Sequence, residues 1–284
     1  MNRLGFLGGS DISAVLGQNR WKTSLKLWAE KTGEIPPDDL SEVEAVQLGT
    51  ELEDFVAKKF EKQSGKKVRR DSKEYVHPEH DFLKGHIDRN IVGEPSILEC
   101  KTTSAYKLKE WDGEDIPIEY IYQIQFYMGI TKSEKAYIAV LVGGQKFIWK
   151  EVAFDQELFD MMVEKAVEFW QMVQDKQAPF AVFEDKDTLN QLFEGGMTDV
   201  QYFEDKVGVK VDILINTINL QKAVAKEADK TKTEAENKIK EMMENSEISL
   251  TEKYKMTWRS QTRKAFSVKE STSRVFRISE LKEK

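Results

Sequence analysis

Residues 97–103 read ILECKTT, an apolar run into which a glutamate and a lysine are set two positions apart. In an extended chain alternate side chains leave opposite faces, so Glu99 and Lys101 share one face and Leu98 and Cys100 the other. Ile97, Leu98 and Cys100 suit a strand buried on at least one side, where charged groups need partners or a cation. Phe82–Ile91 reads as the preceding strand, antiparallel to it across Val92-Gly93-Glu94-Pro95, which brings Asp88 towards the pair. Glu-x-Lys on a strand ordinarily marks no more than a solvated face with a weak ion pair. Its apolar flanks are what set this one apart.

Helices are needed to cover such a hairpin, and the pattern supplies them on both sides. GGSDISAVLG at 8–17 reads as a helix capped by Ser10 or Asp11, and Thr23 or Ser24 opens a second that stops at Gly33. Leu48, Leu52, Phe55, Val56 and Phe60 recur at helical spacing within 41–63. Strands are expected at 66–70 and 73–77, a helix at 117–130, and two strands, 135–142 and 146–152, across Gly143-Gly144. A long amphipathic helix at about 155–176 closes the unit. This order predicts an α/β (α+β) fold, a mixed central sheet flanked by helices.

At 284 residues the chain can bury one full core and carry an appendage. We expect a domain over 1–184 and an extension over 185–284. The extension holds a weak seven-residue repeat between Leu214 and Met242, which predicts a long helix packed on a neighbour, and short strands in YKMTWRS and RVFRIS. Hydrophobic residues at 40% and charged ones at 33% describe an ordinary soluble chain. No apolar run approaches a bilayer span, and the amino terminus is too short in apolar residues for a secretory signal. The lone Cys100 excludes an internal disulfide or a cysteine-rich zinc site and suggests a reducing cytoplasm. His77, His80 and His86, with no cysteine cluster beside them, make a poor zinc site.

The net charge of −7 counts mildly against nucleic acid, but phosphate contacts depend on local patches. KKVRR at 66–70 is one, and residues 251–284 hold six lysines and four arginines against four glutamates. Asp88 and Glu99 on one face form a hard, oxygen-rich pair suited to Mg²⁺ or Mn²⁺. A lysine beside them can orient an attacking water and stabilise charge on a phosphate in flight.

The motif GHID(88)–x10–E(99)–C–K(101) resembles the PD-(D/E)XK nucleases, whose core is restriction-endonuclease-like, and within them the lambda-exonuclease-like, YqaJ-type viral recombinases. RLGFLGGSDISAVLG, TSLKLWAEKTGEI, GTELE, GHID, ILECKT and YIYQIQFYM stand in that family's order over about residues 3–180. YKMTWRSQTRKAF and SRVFRI resemble the carboxy-terminal extension of some members. Ile87 departs from the proline often found there.

The resemblance implies Asp88 and Glu99 as metal ligands with the backbone carbonyl of Cys100 between them, and Lys101 as the catalytic lysine. It implies that Glu53 helps hold a second metal or its water, and that Gln123 lines the site and orients the lysine. It places Arg3 and Ser10 at the 5′-phosphate of the digested strand. From the residues alone, Glu53 reads equally as an exposed helix glutamate, Gln123 as a polar helix position, Arg3 as a loose terminal residue and Ser10 as a helix cap. The tryptophans at 21, 28, 111, 149 and 170 read first as packing, with Trp111, in the loop KLKEWDGED, also the candidate for a wedge that would open a duplex end.

The activity implied is a Mg²⁺-dependent 5′-to-3′ exonuclease on double-stranded DNA, with Mn²⁺ substituting. It would leave 3′ overhangs for phage-type recombination in a bacterial cytoplasm. A ring of three subunits and a RecT- or Beta-like single-strand annealing partner are implied too, with no membrane association. Alternatives are an endonuclease or structure-specific resolvase of the same fold, or a non-catalytic DNA-binding or assembly protein. The chain has no G-x-x-x-x-G-K-[ST] loop and so no ATP motor of that kind.

Overall fold

In the computed structural model, which describes residues 4–194, 201–262, 276 and 278, the first unit spans Met1–Gly195. It opens with three helices, α1 Gly9–Val15, α2 Ser24–Thr32 and α3 Glu44–Ser64. Local chemistry sets their ends. The Gly8 N–H donates to the Asp11 carboxylate at the start of α1, and the Thr23 hydroxyl accepts from the Lys26 N–H to cap α2. Gly33, at φ +76°, turns the chain out of α2 in a conformation other residues rarely adopt. Asp11 rather than Ser10 does the capping in α1.

The expected hairpin lies inside a five-stranded sheet of order β1-β4-β5-β6-β7. Its strands are β1 Val68–Arg70, β4 Arg89–Ile91, β5 Ser96–Thr103, β6 Lys135–Val142 and β7 Lys146–Ala153, while β2 Tyr75–Val76 and β3 Lys84–Gly85 make a separate pair. β5 and β6 run parallel, with Glu99 opposite Ile138 and Lys101 opposite Val140; the other pairings are antiparallel. The parallel step needs a crossover, supplied by a 3-10 turn, Ala105–Trp111, and by α4 Ile118–Thr131. β6 is buried along nearly its whole length, as a strand covered on both faces must be. Gly143 and Gly144, at φ +58° and +70°, close the β6–β7 hairpin. Two further helices, α5 Gln156–Gln174 and α6 Lys186–Leu192, complete the unit.

The sheet separates two apolar clusters. Leu7, Ile12, Leu27, Ile97, Ile124 and Phe159 belong to one, on the side of α1, α2, α4 and α5; Val56, Phe60, Leu98, Tyr137 and Leu141 belong to the other, beneath α3. Ile97 and Leu98 fall into opposite clusters, so Glu99 and Lys101 take the Ile97 face and look towards α4. The expected strand over Phe82–Ile91 is broken. Gly85 pairs with Tyr75 in the small sheet and Arg89 with Leu98 in the large one, and residues 86–88 cross between them. Asp88 therefore stands at a gap, held by neither ladder.

The expected boundary at 184/185 falls within a short turn, Phe183–Asp185, and the units divide between Gly195 and Gly196. Asp185 is fully buried and accepts a hydrogen bond from Thr23. In the second unit, Gly196–Lys284, a 39-residue helix α7 Asp205–Met243 is followed by an antiparallel pair, β8 Ile248–Leu250 and β9 Lys255–Thr257. Met243 is its one buried residue among those described. RVFRIS lies outside the described residues except for Phe276 and Ile278. Among the described residues no helix is long and apolar enough to cross a membrane.

Helix α4 meets α5 at Gly129, where an added methyl would sit 2.0 Å from the buried Phe159 ring. Gly129→Ala is expected to lose on the order of 1–3 kcal/mol to overpacking. Thermal unfolding by circular dichroism should show a Tm several degrees lower; an unchanged Tm would mean the ring has room to move aside.

Candidate active site

Glu99, Lys101, Asp88 and Gln123 converge at the gap in the sheet. Lys101 Nζ lies 2.6 Å from Glu99 Oε1 and donates to Gln123 Oε1 at 3.1 Å. Gln123, one turn below Tyr127 on α4, donates from Nε2 back to Glu99 Oε1 at 2.8 Å. The amide thus accepts from the lysine and donates to the acid, fixing both. Asp88 joins from the crossing segment, where its Oδ2 accepts the Cys100 backbone N–H at 2.7 Å. The Cys100 side chain packs into the opposite cluster, so only its backbone belongs to the site.

Tyr127 forms the floor. Its hydroxyl accepts from Gln123 Nε2 at 3.5 Å, and its ring is buried. A Cβ on Gly9 would come within 2.6 Å of that ring and one on Gly85 within 2.8 Å. The glycines of GGSD and GHID are there because the ring leaves no space for a side chain.

Glu53 comes from α3 but is not left open. The buried Arg89 binds its Oε1, reaches Asp54 with the other terminal nitrogen, and donates to the Asp88 carbonyl at 2.6 Å. Sequence reasoning missed Arg89. Its signal was an arginine on a strand flanked by Ile87 and Ile91, which must find a carboxylate if buried. Tyr127 was missed as well, although the two glycine positions point to a large ring.

Trp111 takes the packing reading and is not an exposed wedge. It is buried, stacks on Tyr120 at 5.6 Å, and its carbonyl accepts from the buried Lys150 Nζ at 2.9 Å. The loop folds back because that lysine draws its carbonyls inward. Ser10 is exposed on the first turn of α1 and lines a cavity of about 740 Å³ with Asp11, Trp21, Lys22, Glu30 and Lys31. Lys31 Nζ lies 3.0 Å from Asp11 Oδ2 and donates to the Phe6 carbonyl. Arg3 lies outside the described residues. His77 and His80 stack on each other at 5.1 Å, away from the carboxylates of the site.

Burial and the facing Glu99 carboxylate push Asp88 up to about 8, against the smaller opposing effects of Lys101 and the Cys100 N–H. Burial alone would lower the Lys101 pKa, but Glu99 and Asp88 outweigh it and the net shift is upward, so the ammonium keeps its charge. Burial first, then Asp88 and Glu99, hold the Cys100 thiol up, which keeps it protonated and unreactive. Burial and Glu99 likewise raise Tyr127.

Two carboxylates pressed together with a proton retained on one of them form a donor set that a hard cation would satisfy. Asp88 Oδ1 and Glu99 Oε2 carry no hydrogen bond among the described residues. No three His, Cys, Asp or Glu side chains converge there into a closed cage. The residues fit a divalent ion held through two acids, a backbone oxygen and water, the pattern of Mg²⁺ sites, and do not fit a zinc cage.

Residues 1–134 match the family described as the YqaJ-like viral recombinase domain. The chain is 42% identical over 262 residues to the uncharacterized protein YqaJ of Bacillus subtilis (strain 168), covering 89% of this chain and 80% of that protein. The fold is similar to that of an alkaline exonuclease, LHK-Exo, from Laribacter hongkongensis, with a TM-score of 0.53 at 17% identity over 62% of this chain and 91% of that one. The same enzyme in complex with dAMP gives a TM-score of 0.52 at 17% identity, over 66% and 93%.

A carboxyl raised from about 3.9 in the unfolded chain to about 8 in the folded one stabilises the fold fully below pH ~4, and loses that contribution as pH rises through ~8. In chelator-treated protein, Asp88→Asn should therefore change Tm little at pH 4 and raise it above wild type by pH 8–9. A difference that stays flat across that range would contradict the shift at Asp88.

Proposed function

Because this chain belongs to the YqaJ family of viral recombinases, we propose that it is a divalent-metal-dependent deoxyribonuclease acting on double-stranded DNA from 5′ ends. Its product would be the 3′ overhang that phage-type recombination requires. The observation that carries this reading is the convergence of Asp88, Glu99 and Lys101 around Gln123 at a break in the sheet. Its likeness in fold to an alkaline exonuclease supports the same reaction class.

Asp88 and Glu99 would hold the ion, with the Cys100 carbonyl as a third oxygen. When bound, Mg²⁺ or Mn²⁺ supplies a Lewis acid for the scissile phosphate and lowers the pKa of water. Lys101 stays protonated between its two acids, where it orients the attacking water and meets the charge gathering on the phosphate. Gln123 holds the lysine at that position and keeps Glu99 from turning away. Arg89 takes up Glu53 and anchors the backbone of Asp88, so α3 and the acid keep one geometry. The 5′-phosphate role of Ser10 and Arg3 belongs to this reading, as do a homotrimeric ring, a RecT- or Beta-like annealing partner and a cytoplasmic setting in an infected or lysogenic cell.

Lys101→Ala should lower turnover about 100-fold or more while leaving DNA affinity in chelator nearly unchanged, since the ammonium acts on the transition state. Filter binding beside a single-turnover assay separates the two; affinity lost in step with rate would make Lys101 a binding residue instead. Linear duplexes with a 5′-phosphate should be digested faster than those without, and a closed circle not at all. Equal cutting of all three would replace the exonuclease by an endonuclease of the same fold.

A further inference from the structure

Trp21 stands in the loop between α1 and α2 with 56% of its surface exposed. Its indole lies 6.3 Å from the ring of Tyr120, and Tyr120 carries the Lys101 ammonium 5.1 Å over its own face. The exposed indole is therefore two ring contacts from the catalytic lysine. Two cations lean on it, the Arg20 guanidinium at 5.3 Å and the Lys107 ammonium at 5.2 Å. Glu110 at 2.8 Å and Glu119 at 2.6 Å fix Arg20 in place. Lys107 has no carboxylate partner among the described residues, and its neighbour Tyr106 is 98% exposed. Trp21 also forms a wall of the 740 Å³ cavity that Ser10 and Lys22 line, ample room for a nucleotide.

Exposed aromatic rings beside a free ammonium are what an unpaired nucleic-acid strand requires: a flat apolar face for the base and a cation for its phosphate. An uncharged apolar partner would use the indole but leave the Lys107 ammonium without a counter-charge. Resting on the nuclease reading above, we propose that Trp21, with Lys107, is a stacking platform for an unpaired DNA base next to the cleaved phosphate. Lys107 meets the adjoining phosphate. Because every base offers a π face, this platform grips the strand without reading sequence. It takes over the place that the buried Trp111 cannot fill.

Binding of a fluorescein-labelled single-stranded oligonucleotide, followed by anisotropy with divalent ions chelated, tests this on the full chain. Trp21→Ala should weaken binding roughly tenfold, in the range for loss of one stacked base, while Trp21→Phe retains most of the affinity. Lys107→Ala should reduce the slope of log affinity against log salt by about 0.7, the value for one single-strand phosphate contact. Wild-type protein should bind a strand of abasic sites more weakly than one with bases, and Trp21→Ala should remove that difference. This comparison holds on the wild-type protein even if the alanine variant folds poorly. Wild-type protein that cuts DNA yet binds abasic and ordinary strands alike, or a Trp21→Ala variant that loses equally on both, would overturn the platform alone. Wild-type protein that cuts no DNA would remove the nuclease reading and this inference with it.

Discussion

A carboxylate on a buried strand is costly unless something nearby carries the opposite charge, and Glu99 imposes that condition on everything around it. The lysine two residues along the same strand supplies the charge, and a glutamine from α4 supplies the hydrogen bonds that fix both groups. For α4 to deliver that glutamine, its next turn must pack a tyrosine against the amino-terminal segment. The glycines at 9 and 85 exist to admit that ring. The parallel pairing of β5 with β6 follows from the same demand, because only a crossover can lay a helix over the face that Glu99 occupies.

The second acid is less settled. Asp88 brings a second carboxylate into a buried space, where burial first and then the Glu99 charge hold its pKa up, against the smaller effect of Lys101. Arg89 ties the Asp88 backbone to Glu53 and Asp54 on α3. Positive charge thus enters the region twice, once in contact with the acids and once behind them.

Local signals were readable in the sequence. The strand at 97–103, the cap at Thr23, the stop at Gly33 and the glycine pair at 143–144 each depend on a few neighbouring residues, and each stands where those residues require it. The same holds for the pairing of Glu99 with Lys101. The break at 86–88 was hidden, because it arises from competition between two sheets whose partners lie far away in the chain. The contact that holds Trp111 in its packed place was hidden for a similar reason: Lys150, which draws the loop inward, comes 39 residues later. Arg89 and Tyr127 fell in plain view but looked like ordinary strand and helix residues. Only their contacts give them a role. The long α7 was legible as a helix, whereas its exposure was not, since a heptad pattern states what a helix can pack on and not whether a partner is there.

The Cys100 N–H has a consequence for the sheet itself. Antiparallel pairing of β4 with β5 stops after Arg89 opposite Leu98, and the next rung of the ladder is spent on the Asp88 side chain instead of a neighbouring strand. The sheet consequently forks at that level. At the branch a main-chain amide meets a side-chain acid where a neighbouring strand's carbonyl would otherwise stand.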